Sequence, residues 1–143
     1  MKLTVTNIIS ILILAFFAVS FESPSIPKKK GIEFSGNWNE ALAKAKTEKK
    51  FIFLDIYATW CGPCKKLKRT TFKDSEVGEY YNKNFVNVSI DGETPEGLLL
   101  AEKYQVTSYP TLLIVDHAGK KKTKAEGFMK PRILVNFGRR IVP

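Results

Sequence analysis

The sequence predicts an α/β fold with a central mixed sheet flanked by helices. Three observations predict it. Short apolar runs rich in branched and aromatic residues recur at 51–57, 85–91 and 111–116. Stretches with helix-start signals or helical apolar spacing lie between them. A turn containing Gly119 and a polar stretch at 121–126 then make a hairpin with the third run. The 143 residues suit one domain, and 44% hydrophobic content is enough to fill its core.

The chain opens with Lys2 and an apolar run at 8–19, followed by small residues at Ala18 and Ser20. This is the pattern of a signal peptide cut after Ser20. The apolar run is shorter than the ~18 residues a spanning helix needs, so cleavage is favoured over an uncleaved anchor. Residues 21–30 hold two prolines and three lysines and read as a linker. The globular domain is expected at 31–143.

Asn37 starts the first helix, with Glu40 three residues on, as in a capping box. Trp38, Ala41, Leu42 and Ala45 form its apolar face. The run at 51–57 is continuously apolar but for Asp55, which marks a strand buried on both faces. A helix follows over 65–71, and Asp74 caps another through Tyr80 and Tyr81. The second strand is 85–91, and Pro95 stands in the first turn of a helix reaching Tyr104. The third strand is 111–116, and the polar stretch 121–126 is an edge strand. Pro131 opens the last helix, with Ile133, Leu134, Phe137 and Ile141 expected inward.

A formal charge of +9 raises nucleic-acid or membrane-surface contact. The cations are scattered in short runs at helix ends and turns, and no nucleic-acid motif accompanies them. The chemistry lies in Trp60-Cys61-Gly62-Pro63-Cys64, which holds both cysteines of the chain. Such a pair is a redox dithiol, half a zinc site or a haem attachment point. Zinc needs two further ligands, and only His117 is on offer. Haem attachment wants a His after Cys64, where Lys65 stands. Thiol–disulfide chemistry is the main reading, with no metal and no cofactor. A bridge enclosing only two residues constrains the unfolded chain little, so the pair reads as functional rather than a staple. A cysteine where a strand runs into a helix meets the free N–H groups and positive dipole of the helix N-terminus, which favour a thiolate. Cys61 is therefore expected as the exposed nucleophile and Cys64 as the buried resolving thiol.

The segment Phe53-Leu54-Asp55-Ile56-Tyr57-Ala58-Thr59-Trp60-Cys61-Gly62-Pro63-Cys64 resembles the active-site segment of the thioredoxin family. The resemblance covers about 31–143 and is similar to short exported bacterial thioredoxin-like proteins and to the soluble C-terminal domain of transmembrane thiol reductases. Tyr109-Pro110-Thr111 matches the family's cis-proline segment, which lies beside the cysteines in space. Gly127 matches a glycine of the substrate-receiving surface. The resemblance implies a thioredoxin fold and a protein-disulfide oxidoreductase. Cys61 and Cys64 would carry the exchange, and Asp55, its pKa raised by burial, would accept the Cys64 proton. Trp60, Gly62, Pro63, Tyr109, Pro110 and Gly127 would border the substrate. The family's lysine near the buried acid falls at Asn87, which implies that Asp55 lacks that cation. Tyr109 is bulkier than the usual residue before the proline. His117, in a turn, is expected to have no role.

Gly62-Pro63 is the intervening pair of reducing members of the family. The implied function is an exported reductant, periplasmic or anchored facing outward, acting as a monomer on disulfide-containing proteins. A membrane thiol reductase would supply its electrons. The alternatives are a disulfide oxidase or isomerase, and a thioredoxin-fold binding or chaperone module with incidental redox activity.

Overall fold

The structure is a computed structural model that describes residues 30–143. The sequence readings for the leader and for 21–29 lie outside the described residues. The elements run α1 (Trp38–Glu48), β1 (Phe51–Tyr57), α2 (Gly62–Arg69), a 3-10 turn (Thr71–Lys73), α3 (Ser75–Asn84), β2 (Phe85–Asp91), α4 (Pro95–Tyr104), β3 (Thr111–Val115), β4 (Lys121–Glu126) and α5 (Pro131–Arg139). The four strands form one mixed sheet in the order β2-β1-β3-β4. β1 and β2 are parallel, while β3 is antiparallel to both β1 and β4. This is the expected α/β arrangement of a thioredoxin fold.

Alternation along β1 decides what each face carries. Ile52, Leu54 and Ile56 point to the layer of α1 and α4, where they meet Trp38, Ala41, Ala45, Leu100 and Tyr104. Phe53 points the other way, to Leu67 of α2, Val77 and Tyr81 of α3, and Leu134 and Phe137 of α5. Helices cover both faces, so β1 and β3 are apolar almost throughout. The edge strand β4 alternates little and stays polar. Asp55 shares the parity of Phe53 and is thereby turned toward the face that α2 covers.

The caps hold as the sequence suggests. Asn37 Oδ1 accepts from the Glu40 N–H at 2.9 Å, and Asp74 Oδ1 accepts from the N–H groups of Glu76 and Val77, each at 3.0 Å. Two details differ. α2 stops at Arg69, and Thr71 and Phe72 turn into the core through a 3-10 turn instead of continuing the helix. Ile133 is 53% exposed, because the buried stripe of α5 is Leu134, Val135, Phe137 and Gly138.

Candidate active site

The redox pair sits where β1 hands over to α2. Ala58 is buried, Thr59 and Trp60 form the turn, and Cys61 is the N-cap of α2. An N-cap side chain accepts from a free N–H of the first turn. Here the acceptor is sulfur: the Cys64 N–H points at Cys61 Sγ, 3.1 Å away. Pro63 occupies the first turn, where a missing N–H leaves nothing unpaired. Three cations and no acid follow in the last turn, Lys66, Lys68 and Arg69. Cys61 and Cys64 form a disulfide, with S–S 2.02 Å and Cα atoms 5.3 Å apart.

Both cysteines are covered. Cys61 is 3% exposed and Cys64 2%. This corrects the expectation of an exposed Cys61. In the oxidised state its sulfur turns inward to Cys64, and the pair packs with Ala58 beneath Tyr57 and Tyr109. The open surface beside the pair is made by Gly62 and Pro63. Trp60 is 67% exposed, so it is no core aromatic. Its indole N–H donates to Glu93 Oε1 at 2.8 Å, and its ring meets Tyr109 edge-on at 6.1 Å.

The bond Tyr109–Pro110 is cis. Tyr109 leans on the glycine at 92, where an added Cβ would lie 2.5 Å from the phenolic oxygen. The Gly127 N–H donates to the Pro110 carbonyl at 2.8 Å, which brings the last hairpin to the same seam. Gly127 has φ +86° with open space around it, so glycine is required there by backbone conformation rather than by crowding. His117 lies exposed in the β3–β4 turn, away from these residues.

Asp55 is 1% exposed. Burial lifts its carboxyl to about 6, against the pull of a hydrogen bond from Ser89 and the charge of Lys68. Ser89 Oγ donates to Oδ2 at 2.7 Å, and Oδ1 finds no hydrogen-bond partner among the described residues. Asn87 pairs with Phe53 rather than Asp55, and its amide donates to the Glu33 carbonyl and Asn82 Oδ1. Asn87 therefore brings no charge to Asp55, as the sequence implies, and the pull of Lys68 reaches the carboxyl from α2 instead.

The Thioredoxin-like family model matches residues 33–117, more than half of the chain. The chain belongs to the thioredoxin-like family. Thiol:disulfide interchange protein DsbD of Haemophilus influenzae is 31% identical over 123 residues, covering 84% of this chain and 21% of that protein. The chain thus spans about a fifth of the length of such relatives. A Bacteroides thetaiotaomicron protein described as a candidate disulphide-isomerase is 40% identical, with a TM-score of 0.69 over 78% of this chain and 93% of that one. The oxidised C-terminal domain of Neisseria meningitidis DsbD is 26% identical, with a TM-score of 0.61 over 71% of this chain and 90% of that one. This thioredoxin-like protein is a disulfide oxidoreductase whose C-x-x-C pair is Cys61 and Cys64.

Sequence reading of this thioredoxin-like chain missed Ser89, Lys68, Gly92 and Glu93. Two of them left a signal. β1 and β2 have equal length, so in-register parallel pairing sets Asp55 opposite Ser89. Lys68 stands seven residues after Cys61 and four after Cys64, on one helical face with both. Gly92 and Glu93 meet Tyr109 and Trp60 only through the tertiary fold.

Proposed function

We propose that the protein is an exported reductant of disulfides in extracytoplasmic proteins, working as a monomer and recharged by a membrane thiol reductase. The observation that carries the exchange chemistry is the Cys61 sulfur at the N-cap of α2, facing the Cys64 N–H at 3.1 Å. In the reduced protein that N–H and the helix dipole favour the Cys61 thiolate. The thiolate attacks a substrate disulfide, forms a Cys61–substrate bond and expels one substrate thiolate. Cys64 then attacks Cys61 Sγ and releases the second. Two electrons pass to the substrate, and the Cys61–Cys64 bond is left behind. Asp55, its carboxyl pushed up to about 6 by burial, takes the Cys64 proton through a water. Trp60, Gly62, Pro63, Tyr109, Pro110 and Gly127 frame the substrate segment.

The leader-like residues 1–20 and the likeness to DsbD support the outward-facing location and the membrane donor. Gly62-Pro63 supports the reducing direction. The test is the Cys61/Cys64 equilibrium of the whole chain in glutathione buffers. A potential near or below about −230 mV supports the reductant, while about −120 to −180 mV makes the protein an oxidase or isomerase. Cys64→Ser separates enzyme from binding module. An enzyme accumulates partners in mixed disulfide with Cys61, and a binding module traps none.

A further inference from the structure

We propose that Lys68 is a positioning residue of the redox site: from α2 it holds a positive charge near Asp55 and so sets the pH at which that carboxyl can take the Cys64 proton. The inference rests on the reading of Asp55 as proton acceptor given above.

The geometry starts from an open cavity of about 670 Å³ on the sheet face under α2. Its lining includes Ser89, Tyr57 and Lys68. Ser89 is the hydrogen-bond donor to Asp55, so one hydroxyl separates the buried carboxylate from this space. Lys68 is half-buried, and its ammonium lies over the Tyr57 ring, 2.8 Å from the centroid. The ring fixes the ammonium through its negative face. Tyr57 and Asp55 share one face of β1, two residues apart, so a charge over Tyr57 is held beside the strand segment that carries Asp55.

Other charges also face this space. Lys30 and Glu33 pair with each other at 3.4 Å in the segment before α1, and Lys73 comes from the 3-10 turn. On β2, Asp91 pairs with Tyr57 and draws on the same ammonium. Lys68 is thus shared by a buried carboxylate and an outer one. Burial pulls its own pKa down, and both acids push it back up. A half-buried cation beside a buried anion is screened less than in bulk water and more than in the deep interior. Its effect on Asp55 opposes the burial that makes this acid weak. The sequence position at which the family's cation was expected, Asn87, is occupied with Glu33 and Asn82 instead.

The test follows the Asp55 carboxyl carbon by NMR titration in the oxidised whole chain. Lys68→Met keeps the stem over Tyr57 and removes the charge. It should raise the Asp55 midpoint by roughly half a unit or more, and Lys68→Arg should return it toward the parent value. Lys68→Gln gives a second neutral variant should the methionine perturb folding. An unmoved or lowered midpoint in the neutral variants overturns the inference. The rate at which Cys64 resolves a Cys61 mixed disulfide is measured alongside. Its pH profile should shift with the midpoint in Lys68→Met and flatten in Asp55→Asn. A profile untouched by Asp55→Asn would instead remove the proton-acceptor reading, leaving the NMR midpoint to judge Lys68 by itself.

Discussion

At the scale of single residues, the site is governed by one acid placed against its interest. An ionised Asp55 must give up water for a single serine hydroxyl. Its folded pKa, about 6, lies above the ordinary value of 3.8. The folded state therefore binds this proton more tightly than the unfolded chain does. Stability is fully present below about 4 and is lost as pH rises through 6. The two-unit gap corresponds to about 3 kcal/mol at neutral pH. Asp55→Asn should recover most of it, making the protein more stable than the parent at pH 7.5 and no more stable at pH 4. Urea unfolding at both pH values measures this, and equal gains at the two would refute the cause. A second residue-scale expectation concerns the glycine at 92. An added Cβ meets the Tyr109 ring at 2.5 to 2.8 Å, so the ring must swing out. Gly92→Ala should change the rate of mixed-disulfide formation several-fold while shifting the melting temperature little. A rate equal to that of the parent would show that Tyr109 does not border the incoming sulfur.

At the scale of elements, caps position the chemistry. Asp74 fixes the start of α3 by holding two backbone N–H groups, and α3 in turn presents Val77 and Tyr81 to Phe53 behind the site. Asp74→Ala leaves those donors to water and should cost about 1 kcal/mol in urea unfolding, while Asp74→Asn should cost a few tenths. Such elements were legible from sequence because capping is local. Asn37, Asp74 and Pro95 each announce a helix within four residues of themselves. The buried character of β1 was equally plain, since two helical layers demand an unbroken apolar run. The 3-10 turn after α2 was not legible. Thr71 bonds to the Met129 carbonyl, 58 residues away, and no window along the chain contains that partner. Ile133 misled for a related reason: spacing defines a stripe, but the packing of α5 on α3 decides which edge of the stripe is inside.

At the scale of the whole molecule, the order of motifs carried the site and the pairing of distant segments supplied its detail. Cys61, Cys64, Asp55 and Pro110 were legible because each is an odd choice for its place: sulfur at a cap, acid in an apolar strand, proline beside a buried strand. Ser89 and Lys68 are ordinary residues whose meaning comes from what the fold sets beside them. The same global view ties stability to redox state. Folding and disulfide reduction form a closed cycle, so the stability difference between oxidised and reduced protein equals the difference in reduction free energy between folded and unfolded chains. The bridge closes a loop of only four residues, so the chain-entropy account gives it about 2 kcal/mol, the low end of the usual range for a disulfide. Against it stands the reduced protein's Cys61 thiolate at the N-terminus of α2. The free N–H groups and dipole there should hold its thiol pKa below that of the unfolded chain. That stability is present above about 8.5 and lost as pH falls through the folded value. Asp55 is present in both redox forms, so its own pH dependence largely cancels from the difference. The oxidised protein should therefore exceed the reduced one by about 2 kcal/mol at pH 5, and the gap should narrow steadily toward pH 8.5. Urea midpoints of both forms across that range decide the matter. A gap that stays constant would mean that the cap does not favour the thiolate, and the nucleophile would then have to be activated by a neighbour other than the helix.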